Sequence, residues 1–91
     1  MVKVVEEGLI VFESTHDSIK ADNLCEERNF EVSLIPTHPS ISLGCGFMLK
    51  TAWDKFNDLV ALLEEEGVPY KALYYSQKHG IKRIVKKLEE K

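Results

Sequence analysis

Cys45 stands between Gly44 and Gly46, and this is where residue types and spacing in the chain point to chemistry. A thiol that must meet another molecule needs access, and flanking glycines remove side-chain bulk on both sides. Glycine also permits positive φ, so successive backbone amides can turn toward one point and form an anion nest. Such a nest favours the thiolate, the reactive form of the side chain. Around the cysteine, Thr37, His38, Gly44 and Gly46 are the candidate binding residues. His38 precedes Pro39 in the same loop and can act as acid, base or second ligand.

Magnitudes narrow what the thiol could do. With an ordinary pKa near 8.5, roughly 3% of it is ionised at pH 7. Lowering the pKa by about 2 units raises that to roughly 75%, while intrinsic nucleophilicity falls about 6–10-fold. The net gain in attack rate is only about 2.5–4-fold. Stabilising a sulfur-centred anion or a carried group is a better use of a nest than faster attack. The alternative is that two glycines shape a β-turn around a small filler residue.

The other candidates are weaker. Cys25 follows Leu24 on a helical pattern with Ala21 and reads as a core residue, since cysteine is among the most buried residue types. A metal site of His16, His38 and Cys45 is possible if their loops meet at one sheet end, although the His38–Cys45 spacing matches no common zinc pattern. The expectation is that the protein holds no metal and no cofactor. No phosphate loop, nucleophile elbow or CxxC pair occurs. The missing CxxC argues against a thioredoxin-like exchanger.

The elements that must position Cys45 follow from hydrophobic pattern. Leu9–Phe12 reads as a doubly covered strand. Ser14 followed by Asp17 is a helix-start pair, predicting a helix to about Asn29 with Ala21, Leu24, Cys25 and Ile19 inward. Residues 30–35 alternate as a half-buried strand, 36–46 form a Pro- and Gly-bearing loop, and 47–50 form a short strand. Thr51 and Asp54 repeat the capping pattern before a helix with Phe56, Leu59, Val60 and Leu63 inward, ending at Gly67. Residues 68–75 read as a fourth strand. Ile81, Ile84, Val85 and Leu88 predict an amphipathic last helix, with His79 at its start.

The order predicts an α+β fold: a ferredoxin-like βαββαβ sandwich over residues 1–77, with a basic C-terminal amphipathic helix over 78–91 in the same domain. One sheet face would stay open unless that helix or a second copy in a homodimer covers it. The net charge of −3 divides into −7 over residues 1–77 and +4 over residues 78–91. An acidic protein is a poor nonspecific nucleic-acid binder. No apolar run is long enough to span a membrane. Two cysteines and no signal-like start predict a cytoplasmic protein with free thiols.

Taken in order, Ile10-Val11-Phe12-Glu13-Ser14-Thr15-His16-Asp17, Leu34-Ile35-Pro36-Thr37 and Cys45-Gly46 resemble a selenium/sulfur carrier-like family of small proteins, over roughly residues 8–77. The family's characteristic cysteine falls on Cys45. The resemblance implies a carrier rather than a catalyst, with persulfide sulfur or selenium held covalently on Cys45 and exchanged with donor and acceptor proteins. This chain has His38-Pro39 where typical members have Pro-Arg, and Gly44 where they often have Ser. His38 and backbone amides would then replace the missing arginine. An interaction or small-ligand module with an incidental Cys45 is the competing expectation.

Overall fold

A computed structural model describes residues 3–41 and 46–91. Strand β1 is Val4–Val11, helix α1 Thr15–Glu27, β2 Ser33–Pro36 and β3 Phe47–Ala52. A short 3₁₀ turn, Trp53–Lys55, leads into α2, Phe56–Glu65; β4 is Ala72–His79 and β5 Lys82–Glu90. The fold is α+β: one five-stranded antiparallel sheet, in the order β2-β3-β1-β4-β5, and two helices. The expected four-stranded ferredoxin-like sandwich with a terminal helix does not describe this sheet.

β1 sits at its centre, and Leu9, Ile10, Val11 and Phe12 are fully buried. Successive strand residues point to opposite faces, so β1 feeds two cores. Ile10 and Phe12 meet Ala21 and Cys25 of α1 and Phe56, Leu59 and Leu63 of α2. Leu9 and Val11 meet Ile41, Met48, Ala72 and Tyr74 on the other side. On this second face Ile41, from the β2–β3 loop, packs over Leu9 and Val11.

Local signals explain most element ends. Ser14 caps α1 by accepting the Asp17 amide at 3.1 Å. Both helices end through a residue with positive φ, Asn29 (55°) after α1 and Gly67 (71°) after α2. Phe30 N–H then reaches Cys25 O at 2.8 Å, and Val68 N–H reaches Leu63 O at 2.9 Å, the helix-closing pattern such residues allow. Ile19 is exposed, and Ser18 takes the inner position instead, donating to Thr15 O at 2.7 Å. Thr51 does not cap α2. It belongs to β3, where its hydroxyl donates to Glu31 O at 3.1 Å.

The C-terminal segment is the main correction. Residues 82–90 form a strand, not an amphipathic helix, and the expected boundary at 77/78 falls inside β4. Gly80 (φ 62°) sits first in a two-residue connection that reverses the chain after His79. Pairing along the whole of β4 then outweighs the helical spacing of Ile81, Ile84, Val85 and Leu88. Arg83 fastens the hairpin to the central strand: its guanidinium donates to Glu7 Oε1 at 2.9 Å and to Ser76 Oγ at 2.7 Å. Lys50 lies 3.5 Å from the other Glu7 oxygen.

Gly8 is needed for a close approach rather than a special backbone angle. A Cβ there would lie 2.0 Å from Phe56 Cδ1. That ring stacks on Trp53, which in turn meets Tyr75, the cross-strand neighbour of Gly8, edge-on. Gly8→Ala must displace a buried ring that has little room to move. A loss of about 1–3 kcal/mol is expected from such overpacking, read as a lower urea midpoint with an unchanged denaturant slope.

Candidate functional site

The segment carrying Cys45 is built on the neck of the β2–β3 loop. The β2–β3 ladder reaches Pro36 opposite Phe47. One further bond, Thr37 N–H to Gly46 O at 3.0 Å, closes the loop. Next comes the turn His38-Pro39-Ser40-Ile41, with Ile41 N–H donating to His38 O at 2.9 Å. Proline suits the second turn position because its fixed φ is already correct there. Ile41 is 7% exposed and packs among Leu9, Val11, Met48, Ala72 and Tyr74. It anchors the loop on the sheet.

His38 is engaged within the same turn. Its Nδ1 accepts the Ser40 amide at 3.1 Å and lies 2.7 Å from Ser40 Oγ. A ring nitrogen that accepts an amide hydrogen carries no proton of its own, so the neutral ring bears its hydrogen on Nε2. His38 therefore presents an N–H donor, assigned from these bonds, rather than a base at Nδ1.

Gly44 and Cys45 lie outside the described residues. Gly46 is exposed and does not have positive φ, so its expected contribution to an anion nest through that angle is not found. Its carbonyl is paired with the Thr37 amide, which is thereby committed to the loop neck. A Cβ on Gly46 would meet nothing within 4 Å. Gly46 thus keeps bulk away from the neck without a conformational requirement. The β1–β3 register, continued past Val11 opposite Met48, sets Gly46 level with Glu13. The loop neck and the start of α1 consequently share one end of the sheet, where the helix dipole is positive.

The remaining candidates separate. His16 lines a cleft of about 350 Å³ along α1, together with Ile19, Lys20, Leu24, Glu66 and Val68. His38 is not part of that lining. His79 ends β4 and faces Gln77 Oε1 at 3.1 Å, so it does not begin a helix. Among the described residues no three His, Cys, Asp or Glu side chains group to hold a metal ion; Cys45 is not among those residues. No helix among them is long and apolar enough to cross a membrane.

Cys25 is fully buried in the helix-side core. Burial first, and the nearby Asp22 charge second, push its thiol up to about 11. At pH 7 only about one such thiol in ten thousand is ionised. The core-filler reading of Cys25 is what the structure contains.

With this geometry in place, the comparison with known proteins is informative. The model of the family described as "Putative Se/S carrier protein-like" matches residues 7–75. The chain belongs to this family. The matched span runs from within β1 into β4 and includes the loop neck and the position of Cys45, while β5 lies beyond it. No curated protein and no solved structure matches the chain.

Sequence reasoning named His38 and the loop as candidates but missed Ile41 as the loop's anchor. The available signal was a single large apolar residue among Pro, Ser and Gly, which has no reason to sit in a freely solvated loop.

Two outcomes are expected. Gly46→Ala should change stability by no more than about 0.5 kcal/mol, as for an open surface position, in urea denaturation. Cys25 makes stability depend on alkaline pH. Its folded pKa is raised, so its contribution is complete below the ordinary thiol value of 9.0 and is lost as pH climbs toward 11. A shift of about 2 units corresponds to roughly 3 kcal/mol. Cys25→Ala should remove that part of the alkaline slope, seen by comparing the two proteins across this pH range.

Proposed function

We propose that the protein carries sulfur or selenium on Cys45 and passes it from a donor protein to an acceptor. The observation that carries this reading is the sealed state of Cys25 in a chain of a Se/S carrier-like family. A carried group needs a thiol that ionises and meets other molecules. Cys25 does neither, which leaves Cys45. Such exchange also needs thiols kept free, a condition the cytoplasm maintains.

The chemistry is thiolate exchange. The Cys45 thiolate attacks the outer sulfur of a donor persulfide, R–S–SH. The donor S–S bond breaks, R–S⁻ leaves with the bonding pair, and Cys45–S–SH forms, so electrons and protons balance without an added oxidant. A donor with selenium as the outer atom reacts in the same way. Delivery reverses the step, and Cys45 departs as a thiolate. Stabilising that leaving anion helps delivery more than it helps attack. The groups proposed for this are the His38 Nε2–H, the positive end of α1 and loop amides other than that of Thr37, which is already bonded.

Incubation with a persulfide donor, followed by intact mass measurement, tests the reading. Wild type and Cys25→Ser should each gain one sulfur atom per chain, and Cys45→Ser should gain none. An unmodified wild type, or equal gain by Cys45→Ser, sinks the proposal. In the folded protein at neutral pH an alkylating reagent should label Cys45 and spare Cys25 by peptide mapping, with Cys25 reacting only once the chain unfolds.

A further inference from the structure

β5 is an edge strand, and its outer side has no partner strand among the described residues. Its register with β4 is regular from Lys82 opposite His79 to Lys87 opposite Tyr74, then breaks at a bulge. The regular stretch contains Lys82, Arg83, Lys86 and Lys87 and no acidic residue. It lies in a C-terminal segment of charge +4 on a chain whose remainder carries −7.

These cations are not equally available. Arg83 is bound to Glu7, and Lys87 lies 2.5 Å from Glu90. Lys82 and Lys86 form no ion pair among the described residues. Pairing with His79, Gln77 and Tyr75 puts Lys82, Ile84 and Lys86 on the sheet face that Tyr75 shares with Trp53. All three are exposed, Ile84 by 51%. This edge thus displays cation, apolar group and cation at every second residue.

A second copy fits the regular stretch of this edge badly. In antiparallel pairing, directly opposed residues share a face. Within Lys82–Lys87 every symmetric register sets a cation against a cation: Lys82 against Lys86, Arg83 against Lys87, or one of the four against its own copy. Like charges directly opposite are destabilising. The same lysines attract an opposite pattern. The edge is also held ready for a partner. Arg83 fixes it to Glu7, and at its far end Lys91 N–H donates to Lys71 O at 2.8 Å while the Lys91 ammonium lies 4.0 Å from the Tyr70 ring centroid.

We infer that β5 docks an extended segment of a partner protein carrying acidic, apolar and acidic side chains at alternate positions, added to the sheet as a sixth strand. Main-chain bonds would supply binding and the alternating side chains the selectivity. This docking does not involve Cys45.

The probe is a blocked heptapeptide, Thr-Glu-Thr-Val-Thr-Glu-Thr, titrated into the full chain while backbone amide resonances are followed. Saturable shifts concentrated in residues 82–87, weakened by salt, are expected, and Cys45→Ser should bind equally well. The double variant Lys82→Glu/Lys86→Glu should lose at least tenfold in affinity for this peptide. It should gain binding to the counterpart with lysine in place of both glutamates. Absence of saturable shifts on β5, or equal binding of the acidic peptide by the double variant, overturns the inference. So does a concentration-dependent dimer in sedimentation that the peptide fails to dissociate, since a second copy would then occupy the edge.

Discussion

Everything in this molecule depends on β1 being buried on both faces. Leu9, Ile10, Val11 and Phe12 have no solvent exposure, and a strand in that position needs two covering layers. The helices supply one. On the other face Leu9 and Val11 pack with Ile41, Met48, Ala72 and Tyr74, with Ile35 and Val85 alongside. The loop that leads to Cys45 is therefore part of the hydrophobic core as well as part of the candidate site. Apolar burial of this kind contributes about 25 cal/mol for each Å² removed from water, so the fold itself orients the loop neck.

The strand-and-helix order of the first six elements was legible because each had a local mark. Ser14 with Asp17, the Leu9–Phe12 run, and Gly67 each act through nearby backbone. The parts that were not legible depend on distant partners. Residues 82–88 carry a helical spacing, and it is the pairing with β4 alongside them that makes them a strand. Thr51 had the chemistry of a cap, yet Glu31 lies across the sheet to receive its hydroxyl. In the site, the separate environment of Cys25 could be read from its helical neighbours. Ile41 could not be assigned a role without knowing that a sheet face needed a lid.

The proposed function gives the two cysteines opposite parts. Cys25 is held neutral by the core, which makes it a packing group and a poor ligand or nucleophile. The Cys45 loop begins where an amide pair closes the neck and where α1 starts. The proposed carrier role is served by a sealed Cys25, because a second accessible thiol in the same chain could resolve a persulfide on Cys45 into a disulfide.

The Arg83–Glu7–Ser76 cluster bears on how the molecule opens. β5, like β2 at the opposite edge, pairs with one strand alone, so backbone bonds by themselves would let it peel away. A largely buried ion pair to the central strand ties that opening to disturbance of β1, because releasing Arg83 leaves Glu7 with the Lys50 contact alone and takes from Ser76 its guanidinium donor. The hairpin and the central sheet then behave as one cooperative unit in amide exchange rather than as a frayed edge on a stable body.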